Sequence, residues 1–187
     1  MKTAIATLKS EAPYSQSRSY SHEIERLNAE TADAYEKRTW RNKCHTWTDG
    51  KIYIPPMAFK MGLDAAFKSL GRQIPGKGKS TYTKYSVAGI LCTVPIHLPM
   101  TSEDVACDMI YANSDGVRGS GKRVWRMFPR IDSWRADVEF SVLADQITKE
   151  IFEEHLAYAG AFVGIGRFRP EKGGFYGRFS VEKVKWH

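Results

Sequence analysis

The clearest pattern lies at 134–142, WRADVEFSV. Trp134, Ala136, Val138, Phe140 and Val142 fall on one side, and Arg135, Asp137, Glu139 and Ser141 on the other. A period of two predicts a strand with one face in a core. Over 57–70 the period lengthens: Phe59, Leu63, Ala66 and Leu70 recur at i, i+4, i+7 and i+11, one face of a helix. Pro55-Pro56 suits its first turn and Gly71 its stop. Residues 145–160 repeat the helical spacing with Ile151, Phe152, His155, Leu156 and Ala159, ended by Gly160. Residues 3–9 and 178–186 read as the first and last strands. The run 84–98 is apolar on both faces between Val87 and Val94, which predicts a central strand over 85–96 with Pro95 near its end. A short strand is expected at 123–129. A polar helix is expected at 23–41, anchored by Ile24, Leu27 and Tyr35, after a Ser/Tyr-rich loop at 11–22.

In order, the core elements read βαββαβ, the pattern of an α+β, ferredoxin-like (RRM-like) domain: an antiparallel sheet under two helices. The 187 residues suit one such domain spanning 1–187, with long loop insertions at 11–50 and 98–130.

Charge adds a partner to this picture. The net charge is +7 and the sequence pI about 9.3, which favours an anionic partner without bearing on the fold. Between 160 and 187, six cations (Arg167, Arg169, Lys172, Arg178, Lys183, Lys185) face two acids, Glu171 and Glu182. The three cysteines, Cys44, Cys92 and Cys107, are widely spaced and form no CxxC, against a disulfide framework or a standard zinc knuckle. A reducing cytoplasm is therefore the expected compartment. No secretory leader is read at the N-terminus, and no membrane partner is expected.

Three loops mix glycine or aromatic residues with cations. RQIPGKGKSTYTK (72–84) carries Lys77, Lys79 and Lys84; VRGSGKRVWRMFPR (117–130) carries Lys122, Arg123 and Arg126 beside Trp125 and Phe128. Cations neutralise phosphates, and aromatic rings stack unpaired bases, so three such loops point to single-stranded nucleic acid. GVRGSGKR (116–123) falls short of a phosphate-binding loop because Arg123 stands where a magnesium-ligating hydroxyl belongs; GKGKST (76–81) lacks the first glycine. The third loop, GIGRFRPEKGGFYGRFSV, places Gly164 and Gly166 directly after a helix. Glycines there allow close backbone approach and a nest of N–H groups for phosphate, with Arg167, Arg169, Lys172 and Arg178 supplying charge. Acid–base chemistry has weaker footing. His22 and His45 lie in the first insertion, His155 on an apolar helix face, His187 at the end, and Asp104, Asp108 and Asp115 in the second insertion. No positioned base or nucleophile is visible in the sequence. No cofactor is implied, and Cys44, His45 and Cys107 have no regular metal spacing.

That glycine loop resembles the glycine-rich loop of the RAMP superfamily of CRISPR-associated RNA-binding proteins. GKIYIPPMAFKMGLDAAFKSL (50–70) resembles its first-helix signature, and VEFSVLADQITKEIFEEHL (138–156) the strand and helix leading into the loop. Together they cover about half the chain, in the superfamily's order. The resemblance implies the ferredoxin-like fold. It is strongest to the backbone subunit that coats guide RNA as a repeating homomer among other effector subunits, with the 98–122 insertion as a protruding thumb-like arm; the chain is short for that role. It leaves open a guide-processing endoribonuclease, or a phage-type single-stranded DNA-binding or CRISPR-interfering protein of the same fold.

Overall fold

The computed structural model describes residues 1–113, 119 and 121–187. Strand β1 (Lys2–Ser10) turns into the two-residue β2 (Tyr14–Ser15), and the first insertion then carries α1 (Ala32–Thr39). Next come β3 (Lys51–Ile54), α2 (Pro56–Leu70), α3 (Thr83–Gly89), β4 (Ile90–Leu91), β5 (Ile96–Thr101), β6 (Ala106–Asn113) and β7 (Arg123–Ile131). The chain closes with β8 (Arg135–Val142), α4 (Lys149–Tyr158), a π-helical turn over Ala159–Val163, and β9 (Phe179–Trp186).

The protein is α+β with antiparallel sheets. The largest has the order β4-β8-β1-β9. Ala4 lies opposite Phe140 and Ala6 opposite Val138, so the alternation seen in the sequence sets the register. These side chains are buried beneath α2, which contributes Phe59, Leu63, Ala66 and Phe67, and α4, which contributes Ile151, Phe152 and Leu156. The other face stays polar: Lys9, Arg135, Asp137 and Glu139 are exposed. Helix α2 stops where Gly71 turns left-handed at φ 56°, and Thr148 caps α4 by accepting from the Ile151 N–H. Among the described residues no helix is long and apolar enough to cross a membrane.

Three expectations need correction. The central strand expected over 85–96 is instead α3, the two-residue β4 and the start of β5, because α2 recruits the segment as a helix. Thr83 donates to the Phe67 carbonyl, Ser86 donates to Asp64, and the buried Lys60 ammonium donates to the Ser86 and Val87 carbonyls at the end of α3. A cation on terminal helix carbonyls is a favourable cap. Val87 and Leu91 are left 57% and 41% exposed, so the apolar run was not a buried strand. The helix expected over 23–41 exists only as α1. Ala29 takes φ 61°, and the segment before it folds back, with Arg38 holding Glu30 at 2.8 Å and the Glu25 carbonyl at 3.1 Å. Finally, the 98–130 insertion holds more than the strand expected at 123–129, which is β7: β5 pairs with β3, and β6 and β7 form a hairpin from Ala106–Arg130 to Asn113–Arg123, with β2 on its other edge. Asp115 and the start of the 116–123 phosphate-loop near-match lie outside the described residues.

Candidate nucleic-acid interface

Helix α4 does not end at Gly160. It widens into the π-helical turn, and the backbone then reverses at Gly164 (φ 71°, ψ 178°). From there the loop folds onto itself and onto the residues after β1. Ile165 donates to Gly177, Gly177 to Pro13, and Arg167 to Ser15, with N···O of 3.0, 2.7 and 3.0 Å. Gly166 has φ +73°, and a Cβ there would lie 2.5 Å from both the Ser15 carbonyl oxygen and the Tyr14 ring. The glycines are thus required by close packing. The N–H groups of Gly164, Ile165 and Arg167 are all engaged within the chain, so these three do not form the open nest expected from the sequence.

Laid this way, the loop walls a cleft of about 420 Å³ against the first half of α2 and residues 14–17; Gln16, His45, Met61 and Arg169 line it. Gln16 is its brace. Buried, it donates to the Tyr53 carbonyl at 2.8 Å and accepts from the His45 N–H at 2.8 Å. Burial, then the Arg18 charge, lowers the pKa of His45 and favours its neutral imidazole. A second cleft of about 350 Å³ adjoins the first, and Arg167 lines both.

The second cleft is built around charge. Glu36 of α1 is buried. It accepts from the Met127 N–H at 2.8 Å and pairs with Lys43 and with Arg126 at 3.3 Å. Lys43 also donates to the Met127 carbonyl at 2.6 Å, and its ammonium sits 4.3 Å from the centre of the Phe128 ring. Arg167 lies on the same ring at 3.5 Å and 4.8 Å from that of Phe168. Its Nε is buried with no hydrogen-bond partner among the described residues. Burial lowers the Arg167 pKa to about 10, partly offset by the Glu36 charge. Lys43 is likewise lowered, first by burial. Cations held against desolvation with a single buried carboxylate between them make a pocket that gains from an anion.

The expected site residues divide by position. Gly164, Gly166, Arg167 and Arg169 meet at the first cleft, and Arg126 joins Arg167 at the second. Arg169 is partly spent on Glu171 at 2.9 Å and on the Gly166 carbonyl at 3.2 Å. Arg178 turns inward and donates to the Ala161 carbonyl. Lys172 is exposed, 3.8 Å from Glu171. Lys122 and Arg123 stand at the far end of the hairpin, where Arg123 donates to the Tyr111 carbonyl at 2.6 Å. Lys77, Lys79 and Lys84 follow the C-terminal end of α2; at ~1.5 Å per residue, that end lies on the order of 15 Å along the axis from the cleft. Lys77 and Lys84 flank Tyr85, 5.9 and 4.9 Å from its ring centre. Asp104 caps a turn by accepting from the Thr101 N–H at 2.7 Å, and Asp108 holds Arg130 at 2.8 Å and the Tyr176 hydroxyl at 2.6 Å. Sequence reasoning missed Gln16, Arg18, Glu36 and Lys43. The Arg-containing polar run after β1 was a signal for Gln16 and Arg18 alone.

No protein-family model matches the chain, and no curated protein matches it. Solved structures do. One is a chain of the cryo-EM structure of the Type III-B Cmr-beta bound to cognate target RNA: TM-score 0.50 and 12% identity, covering 99% of this chain and 60% of that one. Another is Cmr6 from Pyrococcus furiosus, with TM-score 0.48 and 12% identity over 97% of this chain and 99% of the other. A third is a chain of a CRISPR RNA-guided surveillance complex, with TM-score 0.42 and 10% identity over 98% and 68%. This chain spans 60% of the length of the Cmr-beta chain it matches. The match to the Cmr-beta chain, at TM-score 0.50 and 12% identity, is a likeness of fold.

Proposed function

We propose that this protein is a CRISPR-associated subunit that binds single-stranded RNA by its sugar–phosphate backbone, in the two clefts joined by Arg167. The observation that carries the reading is Arg167 itself: a desolvated guanidinium whose buried Nε has no partner among the described residues, on the wall of both clefts. A phosphodiester would supply the missing acceptor and charge. The Cmr-beta neighbour, described with bound target RNA, supports it by fold. On this reading the sheet β4-β8-β1-β9 is a ferredoxin-like βαββαβ core whose second strand is reduced to β4, and 1–187 is one domain. The subunit coats its strand as a repeating homomer or beside other effector subunits. In the hairpin arm Met109, Tyr111 and Trp125 are 53%, 45% and 50% exposed, while Val105 is buried, so the first three are the contact residues of that arm.

The test is the binding of labelled single-stranded RNA and DNA across a salt series, with mass photometry on long strands. Affinity should fall steeply with salt, by ~0.7 in log–log slope for each phosphate neutralised, and assemblies should grow with strand length. A flat salt response would sink the backbone reading, and unchanged monomers at every strand length the coating. One observation favours a second reading, guide-processing endoribonuclease: His45, whose pKa burial lowers, lines the arginine cleft, and on this reading it takes a proton from a ribose hydroxyl. Metal-independent RNA products that vanish in His45→Ala would establish it.

A further inference from the structure

The solvent side of the β3–β5 pair carries a group of aromatic side chains that the core does not use. The inner side of these strands is filled by Ile52, Ile54, Ile96 and Leu98, all buried. On the outer side, Tyr53 lies directly opposite His97 across the ladder, with ring centres 6.3 Å apart. Trp47 stands edge-on to both. It meets Tyr53 at 5.7 Å and 89° and His97 at 5.2 Å and 89°. The Tyr53 and His97 rings are tilted 43° to each other, and the Trp47 ring stands perpendicular to both. Trp47 is 47% exposed, and His97 is exposed as well. Such a cluster accepts one flat ring, stacked on one exposed ring face and edge-on to a neighbouring ring, the two arrangements aromatic pairs prefer.

The seat also touches the arginine cleft. The ring of His45, which lines that cleft, lies 5.6 Å from the Tyr53 ring. Gln16 holds the two residues in register, donating to the Tyr53 carbonyl and accepting from the His45 N–H. A strand with its phosphates at Arg167 and Arg169 thus has an aromatic surface one residue beyond. These rings pack on one another outside the core and leave Trp47 and His97 exposed to solvent, and every base offers a π-face to stack on them.

We propose that Trp47, Tyr53 and His97 form a base-stacking platform that seats one unpaired nucleobase of the strand held in the arginine cleft. The proposal rests on the reading of that cleft as a backbone site. It extends it from phosphate binding, blind to the base, to recognition of a splayed-out base.

The experiment compares two labelled strands of equal length and charge: an oligouridylate, and the same ribose-phosphate backbone without bases. Wild type should prefer the base-bearing strand by about 5- to 150-fold, the range for one stacked base. The preference should collapse in Trp47→Ala and in His97→Ala, shrink little in Trp47→Phe, and survive in Trp125→Ala on the hairpin. Arg167→Gln should weaken both strands by the same factor. Wild type that binds both strands equally, in a salt-dependent way, overturns the platform and leaves the cleft reading standing. Wild type that binds neither strand overturns both. A preference that survives Trp47→Ala and His97→Ala but is lost in Trp125→Ala moves the base to the hairpin and overturns the proposal. Near-wild-type thermal midpoints for Trp47→Phe and His97→Ala keep the comparison independent of folding.

Discussion

Replacing Arg167 with glutamine removes the charge and keeps most of the side chain's length, so it separates a ligand-binding role from a structural one. Burial lowers this guanidinium's pKa to about 10. At ~1.4 kcal/mol per pH unit, keeping it charged costs the fold roughly 1–3 kcal/mol once solvent screening is allowed for. Its stacking on Phe128 and Phe168 returns about 1–2 kcal/mol. The two nearly cancel, so the free variant should melt within about 4 °C of wild type, at ~2–4 °C per kcal/mol for a chain of this size. Binding should respond differently. A charge-assisted contact to phosphate contributes ~1.5–3 kcal/mol, so the affinity for single-stranded RNA should fall roughly 10- to 150-fold at low salt, and the log–log salt slope should drop by about 0.7. Arg178→Gln is the control. Its guanidinium donates to the Ala161 carbonyl in the π-helical turn, so it should lose ~1–2 kcal/mol of stability and keep its salt slope. Anisotropy titrations at several salt concentrations, paired with thermal melts, read both quantities. Unchanged affinity and slope in Arg167→Gln, or a melting loss that accounts for the binding loss, would refute the reasoning.

Three further outcomes follow from the same geometry. Gly166→Ala places a Cβ 2.5 Å from the Ser15 carbonyl and the Tyr14 ring at a φ of +73°; it should cost roughly 2–4 kcal/mol in urea unfolding, and a midpoint equal to wild type would show that the loop does not lie on Ser15. Glu36→Gln leaves Lys43 and Arg126 around a neutral acceptor and should destabilise by about 3–5 kcal/mol, which a thermal melt unchanged from wild type would contradict. Burial lowers the pKa of His155, so the folded state holds the neutral ring while the unfolded chain protonates first. Stability should therefore be full above about pH 6.5 and decline as pH falls toward the folded value, with the slope reduced in His155→Gln; a urea midpoint that rises on acidification would be the opposite sign.

The parts of the fold legible in the sequence are those whose signal is local. The alternation at 134–142 became β8, with Val138, Phe140 and Val142 buried. The run at 57–70 became α2, started by Pro56 and stopped by Gly71. The parts that were not legible are decided by distant partners. Residues 84–89 have a strand-like composition, but Lys60 and Asp64 on α2 supply a carbonyl cap and a serine partner that only a helix presents to them. Strand β6 hid as a loop because both of its faces are partly exposed, so no clean period of two marks it. The helix expected over 23–41 failed at Ala29, whose positive φ no propensity suggests; Leu27, counted as an anchor, is 62% exposed.

The site shows the same limit at the scale of single side chains. Arg167, Arg169 and Arg178 are equivalent in the sequence: each sits in a glycine-rich loop beside an aromatic residue. What separates them is where each guanidinium's hydrogen bonds go. Arg178 reaches a backbone carbonyl of its own loop, and Arg169 reaches Glu171 and the Gly166 carbonyl. Arg167 lies across Phe128, a residue of the hairpin about forty positions earlier, and meets no acceptor for its Nε among the described residues. That difference arises because Glu36, the carboxylate nearest in electrostatic effect, is already engaged with Lys43, Arg126 and the Met127 N–H. All of these partners lie in the two insertions, 11–50 and 98–130, far from the glycine loop in the sequence. The insertions therefore do more than decorate the sheet: α1 supplies the buried Glu36 carboxylate, Lys43 and the hairpin occupy it, and the hairpin supplies the ring against which Arg167 is held. An arginine held in this way gains most from an external anion, and removing the hairpin's Phe128 should weaken binding through Arg167 although Phe128 touches no phosphate. Phe128→Leu should thus lower RNA affinity in the wild-type background and have little further effect in Arg167→Gln. Additive losses in that double-mutant cycle would show that the ring and the guanidinium act independently.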